Sequence, residues 1–376
     1  MFDNEREEKG SAGATAGMVL TVLAVGVLAL LYVTGNLHIS GVPVAAPTAP
    51  DVGPLTELPV ERIVPPAEKH WVMFDAAFLA AAETKEARTI SGHFAFKPML
   101  GMAYEGLEFE PGYLTNVVRE ARKASLEPTG VAGSLAGMLA AGGSLMHLGY
   151  EERDGHRWTV FRAVRPHGGF DHIALLPVNG STGVRAWDSW TMSTGLKASE
   201  IARKMVLGVS VQGAQGKLKG AEALQVEHAE EMNAVATLAL GGSVAAAGEA
   251  FAKLPKELRD VREMQLLAAQ LSMVDGVEAY RNACAAYLED HGDDATAAWG
   301  RYQVFVSLQE WGDAAEALQA LKKLAVPDPY LDVLLAGVRR QQGDVGEAKT
   351  LLEAALVAEP ALEELPTVAA LAAQLG

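Results

Sequence analysis

The chain has 376 residues, 49% of them hydrophobic and 21% charged, with a formal charge of −16. Its length is enough for two folded domains, and its acidity excludes a general nucleic-acid binder, whose phosphate contacts need clustered Lys and Arg. A single cysteine, Cys284, excludes an intrachain disulfide framework and a Cys-based zinc site.

The charge is unevenly placed. Residues 1–67 carry three Lys/Arg against seven Asp/Glu, residues 68–225 carry 17 against 16, and residues 226–376 carry 11 against 24. The last block alone is net −13. So abrupt a shift predicts a domain boundary near 220–228.

Residues 1–13 read as a short tail. From Ala14 to Val33 the chain runs ATAGMVLTVLAVGVLALLYV, 20 residues without a charge. As a helix, that length spans roughly 30 Å, the thickness of a hydrocarbon core. Residues 14–34 are therefore expected to form a single transmembrane helix, an uncleaved signal anchor. A cleaved signal peptide would have a shorter apolar run with a small-x-small site directly after it, and Val44-Ala45-Ala46 comes too late. Arg6 and Lys9 precede the run and no basic residue follows until Arg62. The positive-inside rule then expects the remainder of the chain outside a bacterial inner membrane, in the periplasm. Residues 35–67 form a Pro/Ala-rich linker, with seven prolines between Asn36 and Pro66, expected to act as a semi-rigid spacer.

Residues 68–220 read as an α+β domain. His70–Arg88 is expected to be helical, with Phe74, Phe78 and Ala81 on one face, as is Tyr113–Ala124, with Leu114, Val117, Val118 and Ala121 in register. The period then changes to that of strands in Ser144–Tyr150, Arg157–Arg165, Phe170–Val178 and Val184–Trp190. Asp154-Gly155 and Asn179-Gly180 between them are hairpin signals, because tight turns need residues that tolerate positive φ. A four-stranded antiparallel meander closed by a helix at Ser199–Val206 follows.

The series Tyr150–Gly155, Val160-Phe161-Arg162, Gly169-Phe170-Asp171-His172 and Val184-Arg185-Ala186-Trp187-Asp188 resembles the nuclear-transport-factor-like, or cystatin-like, superfamily over about residues 70–210. The resemblance implies a curved sheet wrapped around a helix with a pocket, which serves catalysis in some members and binding or packing in others.

Alternation along Val184–Trp190 puts Asp188 on an otherwise apolar face, and the neighbouring strand offers His172. Asp188 is then either a buried hydrogen-bond anchor or a pocket acid/base whose pKa burial raises, with His172 beside it. Arg157, Arg162 and Arg165 are candidates for binding a phosphate or an acidic partner, although solvated strand edges carry such charges routinely. His167, Asp171 and His172 lack metal-ligand spacing, and alternation sends Asp171 and His172 to opposite faces, so no metal and no cofactor are expected. Gln212–Leu218 ends in Gly-Lys but lacks the first glycine and the Ser/Thr of a phosphate loop. Gly142–Met146 fails the nucleophile-elbow pattern at its last position. The glycines from Gly130 to Gly143 read as a loose loop or a small-residue helix contact. No enzyme class follows from these motifs.

From about Val226 the strands disappear and Ala, Leu and Glu dominate. Trp311-Gly312-Asp313-Ala314-Ala315-Glu316-Ala317 and Gln342-Gly343-Asp344-Val345-Gly346-Glu347-Ala348 match at an offset of 31. Phrases beginning at Gly241 and Val274 echo them, giving uneven spacings of about 31 to 37 and hence helix–turn–helix units. With Pro255, Pro327 and Pro360 ending helices, residues 226–376 are similar to the tetratricopeptide-repeat family. That similarity implies a stacked α-solenoid that holds a protein partner; an ordinary helical bundle is the plainer alternative.

These parts give an expected fold class of one transmembrane helix, an α+β domain and an all-α tetratricopeptide-like solenoid. The leading functional expectation is a membrane-anchored scaffold whose acidic repeats bind a basic protein. A small-ligand or enzymatic pocket in the α+β domain, and a self-assembling envelope element, are the alternatives.

Overall fold

The structure is a computed structural model that describes residues 56–57, 64–109, 113–128, 130–166, 169–180, 183–209, 218, 220–240, 242–292 and 294–376. The chain divides into two compact units, one containing residues 32–226 and the other containing residues 227–376.

The expectation of a membrane-spanning helix is corrected. The run Ala14–Val33 lies outside the described residues, and among the described residues no helix is long and apolar enough to cross a membrane. The longest described helix, α1 (Glu68–Glu83), has 16 residues and carries Glu68, Lys69, Asp75 and Glu83. At about 1.5 Å per residue it falls short of a bilayer core. The single-pass fold class and the inner-membrane, periplasmic placement are withdrawn with that expectation.

In the first unit the helices precede the sheet. Helix α1 is followed by α2 (Ala87–Ser91), α3 (Phe96–Ala103), α4 (Tyr113–Leu126) and α5 (Val131–Ala140). Two short strands, β1 (Thr56–Glu57) and β2 (Glu108–Phe109), pair antiparallel. The main sheet takes its strands in chain order: β3 (Ser144–Arg153), β4 (His156–Val164), β5 (Phe170–Gly180) and β6 (Gly183–Thr191), all antiparallel. The β3–β4 turn is Asp154-Gly155, with φ of 52° and 71°, the positive values that the Asp-Gly pair anticipates. Helix α6 (Ala198–Val209) follows the sheet.

Both faces of the sheet are buried. On one, Phe161, Leu175 and Ala186 pack with Phe74 and Phe78 of α1, Ile90 of α2, Phe94, Phe96, and Leu135 and Leu139 of α5. On the other, Trp158, Val160, Arg162, His172, Ala174, Leu176, Asp188 and Trp190 are buried in turn. Double burial accounts for the nearly continuous apolar runs of β4 and β5. Pro177 is accommodated in β5 because the ladder shifts register between Leu176 and Pro177.

The expected helix over His70–Arg88 is interrupted, since Lys85 takes a φ of 58° and α2 starts afresh. Of the two readings of the glycines from Gly130 to Gly143, the small-residue helix contact describes Gly133 and Gly137 in α5, while Gly142 and Gly143 lie in the turn before β3. Gly133 lies so close to α4 that a Cβ there would sit 2.0 Å from the carbonyl oxygen of Glu127.

The second unit is helical throughout its described residues. Helix α7 (Ala221–Glu227) precedes it. Then come α8 (Ala229–Leu240), α9 (Val244–Ala252), α10 (Lys256–Arg259), α11 (Arg262–Leu271), α12 (Val277–His291), α13 (Ala295–Ser307), α14 (Trp311–Leu324), α15 (Tyr330–Gln341), α16 (Val345–Ala358) and α17 (Pro366–Leu375). The pairs α8–α9, α11–α12, α13–α14 and α15–α16 pack as hairpins.

The turns between paired helices hold a residue at positive φ: Gly242 (76°), Gly276 (103°), Gln309 (60°) and Gly343 (86°). These positions are 34, 33 and 34 residues apart. Buried positions on the second helix of each pair recur the same way. Phe251, Cys284, Leu318 and Leu352 form one series, and Leu254 (just past the end of α9), Tyr287, Leu321 and Ala355 another. The uneven spacing read from the sequence is thereby corrected. The third turn uses Gln309 where the others use glycine, so aligning Gly312 with Gly343 pairs a residue inside α14 with one before α16.

Candidate functional site

A buried polar cluster in the first unit joins α1 to the sheet. Asp75 lies among the inward residues Trp71, Phe74 and Phe78 of α1 and is 5% exposed. Its Oδ1 accepts a hydrogen bond from Thr159 Oγ1 at 2.8 Å, and its Oδ2 accepts one from Tyr150 Oη at 2.5 Å. His147 Nε2 is 3.5 Å from the same Oδ2. His147 and Tyr150 are three residues apart, which would normally put them on opposite faces of a strand. A β-bulge between His147 and Gly149, with Gly149 at φ 141°, brings both to the face of Phe161 and Thr159, their cross-strand partners.

Aromatic and charged groups close over Tyr150. The Trp71 ring meets it edge-on at 5.7 Å, and the Arg157 guanidinium lies 3.9 Å from its centroid. Arg157 is held by Glu68 through two hydrogen bonds of 2.7 and 3.3 Å. Burial, and then the hydrogen bond to Asp75, push the Tyr150 hydroxyl up to about 12, so it stays a donor. The His147 side chain is a quarter exposed, so the cluster reaches solvent through an imidazole whose Nε2 faces a buried carboxyl group.

Asp188 is an anchor of a different kind. Its Oδ1 accepts from the backbone N–H of Ser189 at 2.9 Å and of Ser199 at 3.0 Å, and the Ser199 hydroxyl donates to Oδ2. Ser199 is the second residue of α6, so a carboxyl group on β6 satisfies an amide that the helix itself leaves without an acceptor. Burial still dominates and raises Asp188 to about 6, against the Ser199 and Ser189 hydrogen bonds and the charge of Lys197. Asp171 is likewise raised by burial and accepts from the backbone N–H and the hydroxyl of Ser193.

His172 does not join Asp188. Leu176 is the cross-strand partner of Asp188, and His172 lies four residues farther along β5, about 13 Å away. It is buried, with the Phe170 ring edge-on at 4.9 Å and Arg162 opposite on β4. The three arginines do not form one patch either. Arg157 shares the face of Thr159, whereas Arg162 is buried on the other face with Nη2 3.4 Å from Met146 Sδ. Arg165 is exposed beyond the end of β4. His167 lies outside the described residues. Among the described residues, no group of three or more His, Cys, Asp or Glu side chains could hold a metal ion.

The sequence reading passed over Asp75, His147, Tyr150 and Thr159. The signal for Asp75 was present: a carboxylate on the apolar face of a helix, the same pattern that singled out Asp188. His147 and Tyr150 gave none, because a bulge overrides alternation.

In the second unit, four cations tie helices together. Arg262 on α11 donates to Tyr287 at 2.8 Å and Asp294 at 2.9 Å, and Arg281 on α12 to Asp313 at 2.5 Å. Lys322 pairs with Asp332, and Arg339 with Glu347 at 3.0 Å. Meanwhile Glu249, Glu257, Glu289, Glu316, Glu353 and Glu363 are exposed. The chain matches no family model, no curated protein and no solved structure.

Proposed function

We propose that the chain is a protein-interaction scaffold whose helical unit, a tetratricopeptide-like array of hairpins, holds a basic partner. The observation that carries this reading is the regular recurrence of turns and buried positions every 33 or 34 residues. That is the period of tetratricopeptide units, whose stacked helices suit an extended peptide or a helix. Acidity gives the class of partner. Arg262, Arg281, Lys322 and Arg339 are drawn into pairs between helices while exposed glutamates remain, and the unit is net −13, which favours and steers a positively charged protein.

The test uses the full chain as bait, beside a variant with Glu249, Glu257, Glu289, Glu316 and Glu353 changed to Gln. A stoichiometric partner held at low salt, released at high salt and lost from the variant is the expected result. Retention by both baits alike, or by neither, overturns it.

One observation favours a second reading, a small-ligand site in the α+β unit. His147 is part-exposed and its Nε2 faces Asp75. A ligand found by thermal-shift screening should lose binding in His147→Gln if that reading holds.

A further inference from the structure

Helix α1 is apolar on two opposite faces. Its inward residues Trp71, Phe74, Phe78, Ala81 and Ala82 are buried. Outward, Val72, Met73, Ala76, Ala77 and Ala80 follow the spacing of three and four that makes one stripe, and all are exposed. Val72 is 59% and Met73 65% exposed. Lys69 bounds the stripe at the helix start and Glu83 at its end, with no charge on the outward face between them. A surface helix normally turns charged or polar residues outward, and a helix apolar all round is normally buried. Scattered exposed hydrophobics need no explanation, but a contiguous stripe does.

We propose that this stripe is a dimer interface, formed by α1 of one chain lying antiparallel against α1 of a second copy across a two-fold axis near Ala76. The stripe is complementary to itself in that orientation. Counting outward from Ala76 in both directions, Val72 meets Ala80 of the other copy and Lys69 meets its Glu83. Bulky residues in one half and small ones in the other let each half fill the partner's, as ridges packing into grooves require. An ion pair then closes each end, whereas a parallel arrangement would set like charges together. One helix pair buries an area at the low end of specific interfaces, so a reversible dimer of micromolar affinity or weaker is expected.

Lys69→Glu and Glu83→Lys, made separately in the full chain, test the arrangement by sedimentation velocity over a concentration series. Wild type should rise from one copy to two, and each variant should associate at least tenfold more weakly. An equimolar mixture of the two variants should regain wild-type association, because the mixed pair again sets unlike charges at both ends. Ala76→Cys in a Cys284→Ala background should form a disulfide-linked dimer on mild oxidation. Wild type that stays monomeric, or a mixture no stronger than its components, overturns the proposal. A monomer whose Met73 resists peroxide oxidation would assign the stripe to another part of the same chain, and overturns it equally.

Discussion

Asp75 and Asp188 are both buried carboxyl groups with hydroxyl donors, yet they hold different things. Asp75 ties a helix to the sheet through two side chains, Thr159 and Tyr150. Asp75→Ala leaves both hydroxyls without their acceptor, and about 2–4 kcal/mol of stability should be lost in urea titration. Tyr150→Phe removes one donor and should cost about 1 kcal/mol. For Asp188, the folded state binds the proton more tightly than the unfolded chain does. Its stabilising contribution is full below about pH 4 and is lost as pH rises through about 6. The stability of wild type relative to Asp188→Asn should fall by about 3 kcal/mol between pH 3.5 and 7, measured by urea titration at each pH. A flat difference would mean that the Ser199 and Ser189 hydrogen bonds and the charge of Lys197 balance burial, and a rise with pH that they outweigh it.

At the scale of elements, backbone conformation decides where sequence patterns succeed. The Asp154-Gly155 pair anticipates its hairpin because its residue types tolerate the dihedrals required. Gln309 adopts the same left-handed region without advertising it, so the repeat phrase was read three residues out of register. Gln309→Gly should relieve that strain, offset in part by added freedom in the unfolded chain, and raise stability by about 0.5 kcal/mol. Gly133 is the opposite case. A methyl group there meets the Glu127 carbonyl, a backbone atom that cannot swing aside, so Gly133→Ala should cost about 3 kcal/mol or more by thermal unfolding. Its glycine-rich surroundings left a loop and a small-residue helix contact open in the sequence, and the close approach to Leu126 and Glu127 is the second of these. The strands were legible through their apolar runs and turns. The Asp75 cluster was not, since it depends on a bulge that no alternation rule foresees.

For the whole molecule, the chain divides into two units after residue 226, and cohesion differs between the two parts. In the sheet unit, the cluster on one face of the sheet draws on α1, α2, α3, α5 and β4–β6, so its contacts join residues far apart in sequence. In the helical unit, packing runs chiefly between each helix and the next, as α13 with α14, α14 with α15 and α15 with α16 do. Stability in such an array is a sum of repeat and nearest-neighbour terms. Leu318 and Cys284 occupy the same buried position of successive repeats, which makes Cys284 a packing residue whose truncation removes little volume. Leu318→Ala should therefore cost about 3–4 kcal/mol and Cys284→Ala about 1 kcal/mol. Hydrogen exchange should show the first loss as weakened protection in α13–α16 and spare the amides of β4 and β5. Loss of protection spread evenly through α8–α17 would instead mean that the helices unfold as one cooperative block, without the local character of a repeat array.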